Sequence, residues 1–419
     1  MNRRPFPPDS APDPTDRPPT APGRRRVRLL LAVCAALAGA GGILLVAVAG
    51  DHPRPVARTA ATTGADGLRH TTVGVSAAAD ACGRGWRTPR PGLQVFDVHN
   101  GTASAAEVYL TDSSGALLGE VDGLAPGTTR PILVALGRGG YAFRCLVEDT
   151  DAVTGPTVRI TGGRTVSSPA VQPVNQHDLI PPTLAYQTWV TAGFGGVVAK
   201  TDALRDAVDR GDLAGARAAW LPAHLAYTRL GGAYGAFGDL GDAVDGTDAG
   251  LPDGPRDKGF TGFHRVEYGL WHHQSAQELR GPADRLAADA RQLRTQWAAA
   301  RMDPLDLGLR AHEITEDSLQ LDLTGRSDFG SGTSLATARA GLDGTAELLG
   351  VLRPLLAPRY PGLAAAERLL RATGHDLDAV TGPPDALPRA QRERINADLG
   401  ELAEQLAPVA VIFDVRRTS

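Results

Sequence analysis

The chain has 419 residues, of which 42% are hydrophobic and 21% charged, and its formal net charge is −4. That length accommodates two domains with cores of their own, and the composition is that of a globular protein. A slightly acidic balance with no basic stripe argues against a nucleic-acid partner.

Residues 1–28 are rich in Pro, Asp, Ser and Thr, lack an apolar period, and read as a disordered cytoplasmic N-terminus that ends in Arg24, Arg25, Arg26 and Arg28. The uncharged apolar run 29–50 is long enough to cross a bilayer as a helix. The arginines ahead of it keep the N-terminus inside and place the rest of the chain outside the cytoplasm. A cleaved signal peptide fits the same orientation, because Ala47-Val48-Ala49 offers small residues for processing. Membrane-anchored or secreted, the bulk of the chain is expected to be extracytoplasmic. Residues 51–71 read as a polar linker.

Across 72–163 short apolar segments (93–98, 106–110, 117–121, 131–136, 141–147 and 157–160) are separated by Asn100-Gly101, Ser114-Gly115, Pro126-Gly127 and Gly139-Gly140. That spacing predicts a small antiparallel β-sandwich. Cys82 and Cys145 fall inside it. In an exported domain such a pair favours a disulfide, and a soft-metal site is the other reading. His99 is the one histidine within 72–163, which holds no Met, so the two-His, Cys and Met set of blue copper is missing.

After a Pro-rich linker at 164–182, residues 183–410 carry apolar side chains at three- and four-residue steps. Helices are predicted over 184–209, 213–236, 263–271, 282–300, 304–321, 335–356, 363–372 and 388–406, an all-α bundle. The Asp- and Gly-rich loop 238–259 leads into Gly262-Phe263-His264-Arg265-Val266-Glu267-Tyr268-Gly269-Leu270-Trp271. His264 and Glu267, three apart, share a helix face and can converge on one cation. An imidazole with a carboxylate suits iron or zinc better than calcium. By itself the spacing commonly marks a solvated helix face. The adjacent His272 and His273 point to different faces and read as surface.

The pattern of Gly262, His264 and Glu267 followed by Tyr268-Gly269-Leu270-Trp271 resembles the signature of the imelysin, or peptidase M75, family, and its EfeO/EfeM branch in particular. The likeness continues through Phe237-Gly238-Asp239-Leu240, His312-Glu313-Ile314 and Arg353-Pro354-Leu355-Leu356, over most of 184–410. Upstream, Cys82, Glu107, Ala125-Pro126-Gly127 and Gly140-Tyr141-Ala142-Phe143-Arg144-Cys145 resemble the cupredoxin-like domain that precedes the helical domain in EfeO proteins. There the resemblance implies Cys82, Glu107 and Cys145 as copper or ferric-iron ligands.

For the helical domain the resemblance implies an iron site, ferric or ferrous, with copper or zinc as other metals. Its ligands would be His264, Glu267 and Asp239, with His224 or Asp245 as supplements. It further implies an extracytoplasmic component of an EfeUOB-type uptake system, which hands iron to a permease and has a haem peroxidase as a second partner. The chain departs from the family at Thr228, Gly231 and Gly235, where EfeO proteins carry glutamates. That departure leaves a metal-free surface interaction protein as the alternative. An M75-type metallopeptidase is the third reading and is disfavoured: there is no H-E-x-x-H helix, and Glu267 reads as a ligand, not a free base. No enzymatic activity is expected.

Overall fold

The structure is a computed structural model that describes residues 62–163 and 168–416. The apolar run 29–50 lies outside the described residues, among which no helix is long and apolar enough to cross a membrane.

The first part of the described chain is all β: β1 (Thr62–Thr63), β2 (Arg69–Gly74), β3 (Gly92–His99), β4 (Ala106–Asp112), β5 (Leu117–Leu124), β6 (Thr129–Leu136), β7 (Gly139–Val147), β8 (Val153–Thr154) and β9 (Val158–Ile160). They form two sheets, β1-β2-β3-β6 and β5-β4-β7-β8, with β9 also on β7. Phe96, Val98, Val108, Leu110 and Phe143 point into one core between the sheets, and Trp86 meets Phe96 and Phe143 edge-on with centroids 4.7 and 5.9 Å apart. Two expectations change here. β1 and β2 occupy positions within and beside the expected linker 51–71, and β2 runs parallel to β3, so the sandwich is not wholly antiparallel.

Cys82 and Cys145 are joined by a disulfide buried in this core. Glu107 does not join them. Val108 is the residue opposite Cys145 across β4 and β7. Side chains alternate along a strand, so Glu107 projects to the other face of the sheet, where it accepts the Tyr109 hydroxyl at 2.5 Å. The trio of Cys82, Glu107 and Cys145 expected as a possible metal site is therefore not assembled.

The remainder is helical: α1 (Gln176–Asp209), α2 (Leu213–Thr228), α3 (Asp239–Asp245), α4 (Gly262–Trp271), α5 (Ala276–Trp297), α6 (Asp306–Asp317), α7 (Ser334–Leu356), α8 (Leu363–Asp378) and α9 (Arg389–Phe413). A 3-10 segment, Gly231–Ala236, follows α2, and a π turn, Ser318–Asp322, extends α6. α1 starts inside the expected linker 164–182 because Asn175 and Asp178 form a reciprocal capping box. Pro181 and Pro182 sit early in the helix, where each removes one backbone donor without breaking it. α1 packs against α2 and α5, and α6 against α9. Leu179, Tyr186, Val190, Phe194, Val197 and Leu204 form the fully buried stripe of α1, each contributing about 1.5–3 kcal/mol by burial.

Sandwich and bundle are tied together near the C-terminus. The Arg416 guanidinium donates to both oxygens of Glu120 at 2.7 and 2.6 Å, and Val171 pairs its backbone with Leu117. The candidate site lies well inside the bundle, where α2, α3, α4 and the π turn meet.

Candidate metal centre

Gly262 fixes how α3 meets α4. It adopts φ +78°, and a Cβ there would lie 2.1 Å from the Val244 carbonyl oxygen, so only glycine lets the start of α4 rest on the end of α3. Thr261 reinforces the contact by donating to the Ala243 carbonyl at 2.9 Å. α2 is bound to α4 from the other side, through the Trp220 indole on the Phe263 carbonyl at 2.9 Å and Arg217 on the Leu270 carbonyl. These contacts bring together His224 of α2, Asp245 at the end of α3, and His264 of α4.

Their ligand atoms lie within 4.8 Å of one another. His224 Nε2 is 3.0 Å from Asp245 Oδ1, and His264 Nε2 is 3.7 Å from the same oxygen. Donors bonded to one ion at about 2.1 Å stand roughly 3.0–3.4 Å apart in octahedral or tetrahedral arrangements. The observed spacings match that closely enough that small side-chain shifts would complete the fit. The imidazoles are almost fully buried, at 3% and 4% side-chain exposure, while Asp245 at 18% faces the opening. Aromatic rings enclose them: Trp220 and Phe263 beside His224, Phe329 beside His264.

Glu267 stands behind His264. It is fully buried and accepts His264 Nδ1 at 3.2 Å and the backbone N–H groups of Phe329 and Ser331 at 3.0 and 3.1 Å. Burial pushes its carboxyl up, but the bonds from His264 and Ser331 and the nearby imidazoles outweigh that and hold it below the usual range. With Nδ1 donating to Glu267, His264 turns the lone pair of Nε2 toward Asp245. At His224 burial disfavours the imidazolium, and the charges of Asp245 and Glu267 outweigh it, so its pKa is raised. Among the described residues the buried Nδ1 of His224 has no hydrogen-bond partner, so the two imidazoles have unequal support.

A cavity of about 220 Å³ opens beside the cluster. Thr228, Tyr234, Arg310, Asp317, Ser318 and Asp322 line it with His224, Asp245 and His264. Arg310 is already paired with Glu313 at 2.7 Å and Asp317 at 3.6 Å. Asp322 is 7% exposed and accepts the Ser327 hydroxyl at 2.7 Å. Burial raises its carboxyl to about 7, despite that bond and the nearby His264.

Of the residues expected as ligands, His224, Asp245 and His264 converge, and Glu267 adjoins them as the support of His264. Asp239 is not brought in: it begins α3, at the opposite end from Asp245, and is exposed. Of the three positions where the resemblance implies glutamates, Thr228 and Gly231 line the cavity, while Gly235 faces Asp306. His272 and His273 are exposed, and His312 is held by the Ala403 carbonyl and Glu316. Asp322 was not singled out from the sequence. The one available signal is an acid following Leu307, Ala311, Ile314 and Ser318 on the buried stripe of α6.

The curated relatives include the iron uptake system component EfeO of Yersinia pseudotuberculosis, 28% identical over 265 residues, which spans 63% of this chain and 69% of that protein. The Escherichia coli O1:K1 protein of the same name is 25% identical over 329 residues, 76% of this chain and 85% of its own length. Among solved structures, an imelysin-like protein from Psychrobacter arcticum matches 59% of this chain and 98% of its own, at 13% identity and a TM-score of 0.46. The sequence profile of imelysin, peptidase M75, matches residues 183–409, more than half of the chain. The chain belongs to the imelysin (peptidase M75) family.

Proposed function

We propose that this chain is the iron-binding component of an extracytoplasmic iron uptake system, capturing iron at His224, Asp245 and His264 for transfer to a permease. The observation that carries the reading is the convergence of these three ligand atoms inside 4.8 Å. The names of the EfeO relatives support iron as the cargo. Two imidazoles and one carboxylate are a set that suits ferrous iron, and such a set leaves positions open on the ion. That is softer than the oxygen-rich, ferric-favouring coordination that more carboxylates would give.

Capture and release follow from the same chemistry. The His224 proton shared with Asp245 must leave before the imidazole can bind, so the ion replaces a hydrogen bond that already holds both side chains in place. Three protein ligands leave part of the sphere to water or to a receiving protein, which can then withdraw the ion stepwise. The sandwich, bound to the bundle by Arg416 and Glu120, is the arm that would face the partner proteins, a permease and a haem peroxidase.

The test is metal content and affinity of the purified chain with ferrous and ferric iron. Wild type is expected to bind one iron per chain, His264→Ala to lose it with the fold intact, and Thr228→Glu to bind more tightly by adding a carboxylate to the cavity wall. If all three retain no more iron than a control protein without a metal site, the metal-free interaction protein becomes the better reading.

A further inference from the structure

Asp322 is the one acid of the cavity that is neither in the ligand cluster nor in an ion pair. It is buried to 7% exposure, and the Ser327 hydroxyl is its one hydrogen-bond donor among the described residues. A carboxylate buried against a single neutral donor is costly unless a cation lies near it. Its place in the chain adds to the argument. It is the last residue of the π turn Ser318–Asp322, a distortion that helices keep mainly at functional sites. The turn carries it into the cavity that also holds His224, Asp245 and His264. It is outside the group whose atoms lie within 4.8 Å of one another, which favours contact through a bound water over direct ligation. About 220 Å³ leaves room for several waters, each taking roughly 30 Å³.

Building on the proposed iron site, we propose that Asp322 is its second carboxylate, accepting a hydrogen bond from a water bound to the captured ion. The cavity then takes a partly hydrated divalent cation. His224, Asp245 and His264 bind it, and Asp322, with the hydroxyls of Thr228 and Ser318 in the same cavity lining, receives its water.

The experiment compares wild type, Asp322→Asn, Ser327→Ala and His264→Ala as full chains, titrated with Co2+ and with Fe2+, with melting curves of the metal-free proteins. Asparagine keeps the shape of Asp322 and an oxygen for Ser327, so the metal-free variant should melt no lower than wild type. Its affinity should fall roughly 10–100-fold, the usual loss when a group supporting a metal ligand is removed. The cobalt absorption bands should keep their positions, because the three protein ligands remain. Ser327→Ala, which keeps the charge but frees the carboxylate, should lose less. Unchanged affinity in Asp322→Asn overturns the inference, and so does a drop in melting temperature without metal, which would make the residue structural. Shifted cobalt bands would make Asp322 a direct ligand and overturn the bridging water. If wild type and His264→Ala alike bind neither metal, the iron site itself is wrong and this inference falls with it.

Discussion

Replacing Glu267 by Gln separates support of the site from its ligands. The carboxylate is fully buried and accepts three hydrogen bonds, from His264 Nδ1 and from the Phe329 and Ser331 backbones. A bond to a charged group contributes about 1.5–3 kcal/mol and a neutral one about 0.5–1.5. Glutamine can keep both backbone donors on its oxygen, losing about 1 kcal/mol at each. Its amide then faces His264, and two donors cannot share that contact. Either the contact is lost or the imidazole moves its proton to Nε2, where it blocks the metal. The sum is a loss of roughly 2–4 kcal/mol in stability, with metal affinity lower by roughly 10–100-fold.

Chemical denaturation at several pH values tests this. The Glu267 pKa is lowered in the folded chain, so its contribution is present above the unfolded carboxyl value of about 4.3 and is lost as pH falls through the folded one. Wild type and Glu267→Gln should differ most near pH 7 and converge on acidification. Equal stability at pH 7, or a gap that persists in acid, would refute the account of Glu267 as a charged anchor.

Two further predictions concern the frame. Cys82 and Cys145 close a loop with a sequence separation of 63, for which chain entropy gives about 4 kcal/mol of stabilisation; the double serine variant should melt well below wild type, and labelling of Cys82 or Cys145, as distinct from Cys34, before reduction would contradict the bridge. Gly262→Ala forces a Cβ onto the Val244 carbonyl at a positive φ, so it should cost at least about 2 kcal/mol and weaken metal binding by separating Asp245 from His264, as denaturation and cobalt titration would show.

The elements that the sequence made legible are those where one pattern dominates. The strands at 93–98 and 141–147 alternate around Phe96 and Phe143, and the helices carry long buried stripes. β2 escaped because Arg69-His70-Thr71-Thr72 is polar, and its pairing with β3 is long-range. The start of α1 escaped because Pro181 and Pro182 signal a break that the Asn175 cap overrides. At the site, the spacing of His264 and Glu267 showed a shared face but not that the two bond to each other. The sequence favoured Asp239 as a ligand with Asp245 as a supplement, and only the packing of Gly262 on Val244 selects Asp245 instead. Asp322 lies a helical step beyond Ser318 on the buried stripe of α6, and it was hidden because a lone acid closing such a stripe reads as a solvated helix end.

The donor set bears on how such a protein would discriminate. Two histidines and a carboxylate hold copper and zinc more tightly than ferrous iron in the ordinary order of divalent metals, so affinity alone does not favour the iron proposed as cargo. Geometry can reverse that preference only by rewarding a higher coordination number. Zinc with three protein ligands is complete with one more donor, whereas ferrous iron commonly accepts further ligands at its open positions. A wall that receives bound water gives the additional ligands partners. Here the polar lining is Asp322, Ser318 and Thr228, in the same cavity as imidazoles that are packed among aromatic rings. In the proposed site the packed imidazoles would fix where the ion sits, and the polar lining would decide how many waters it keeps. On this view Thr228 and Gly231, where the family resemblance implies glutamates, do not empty the proposed site: water held by the protein would stand in for direct oxygen ligands.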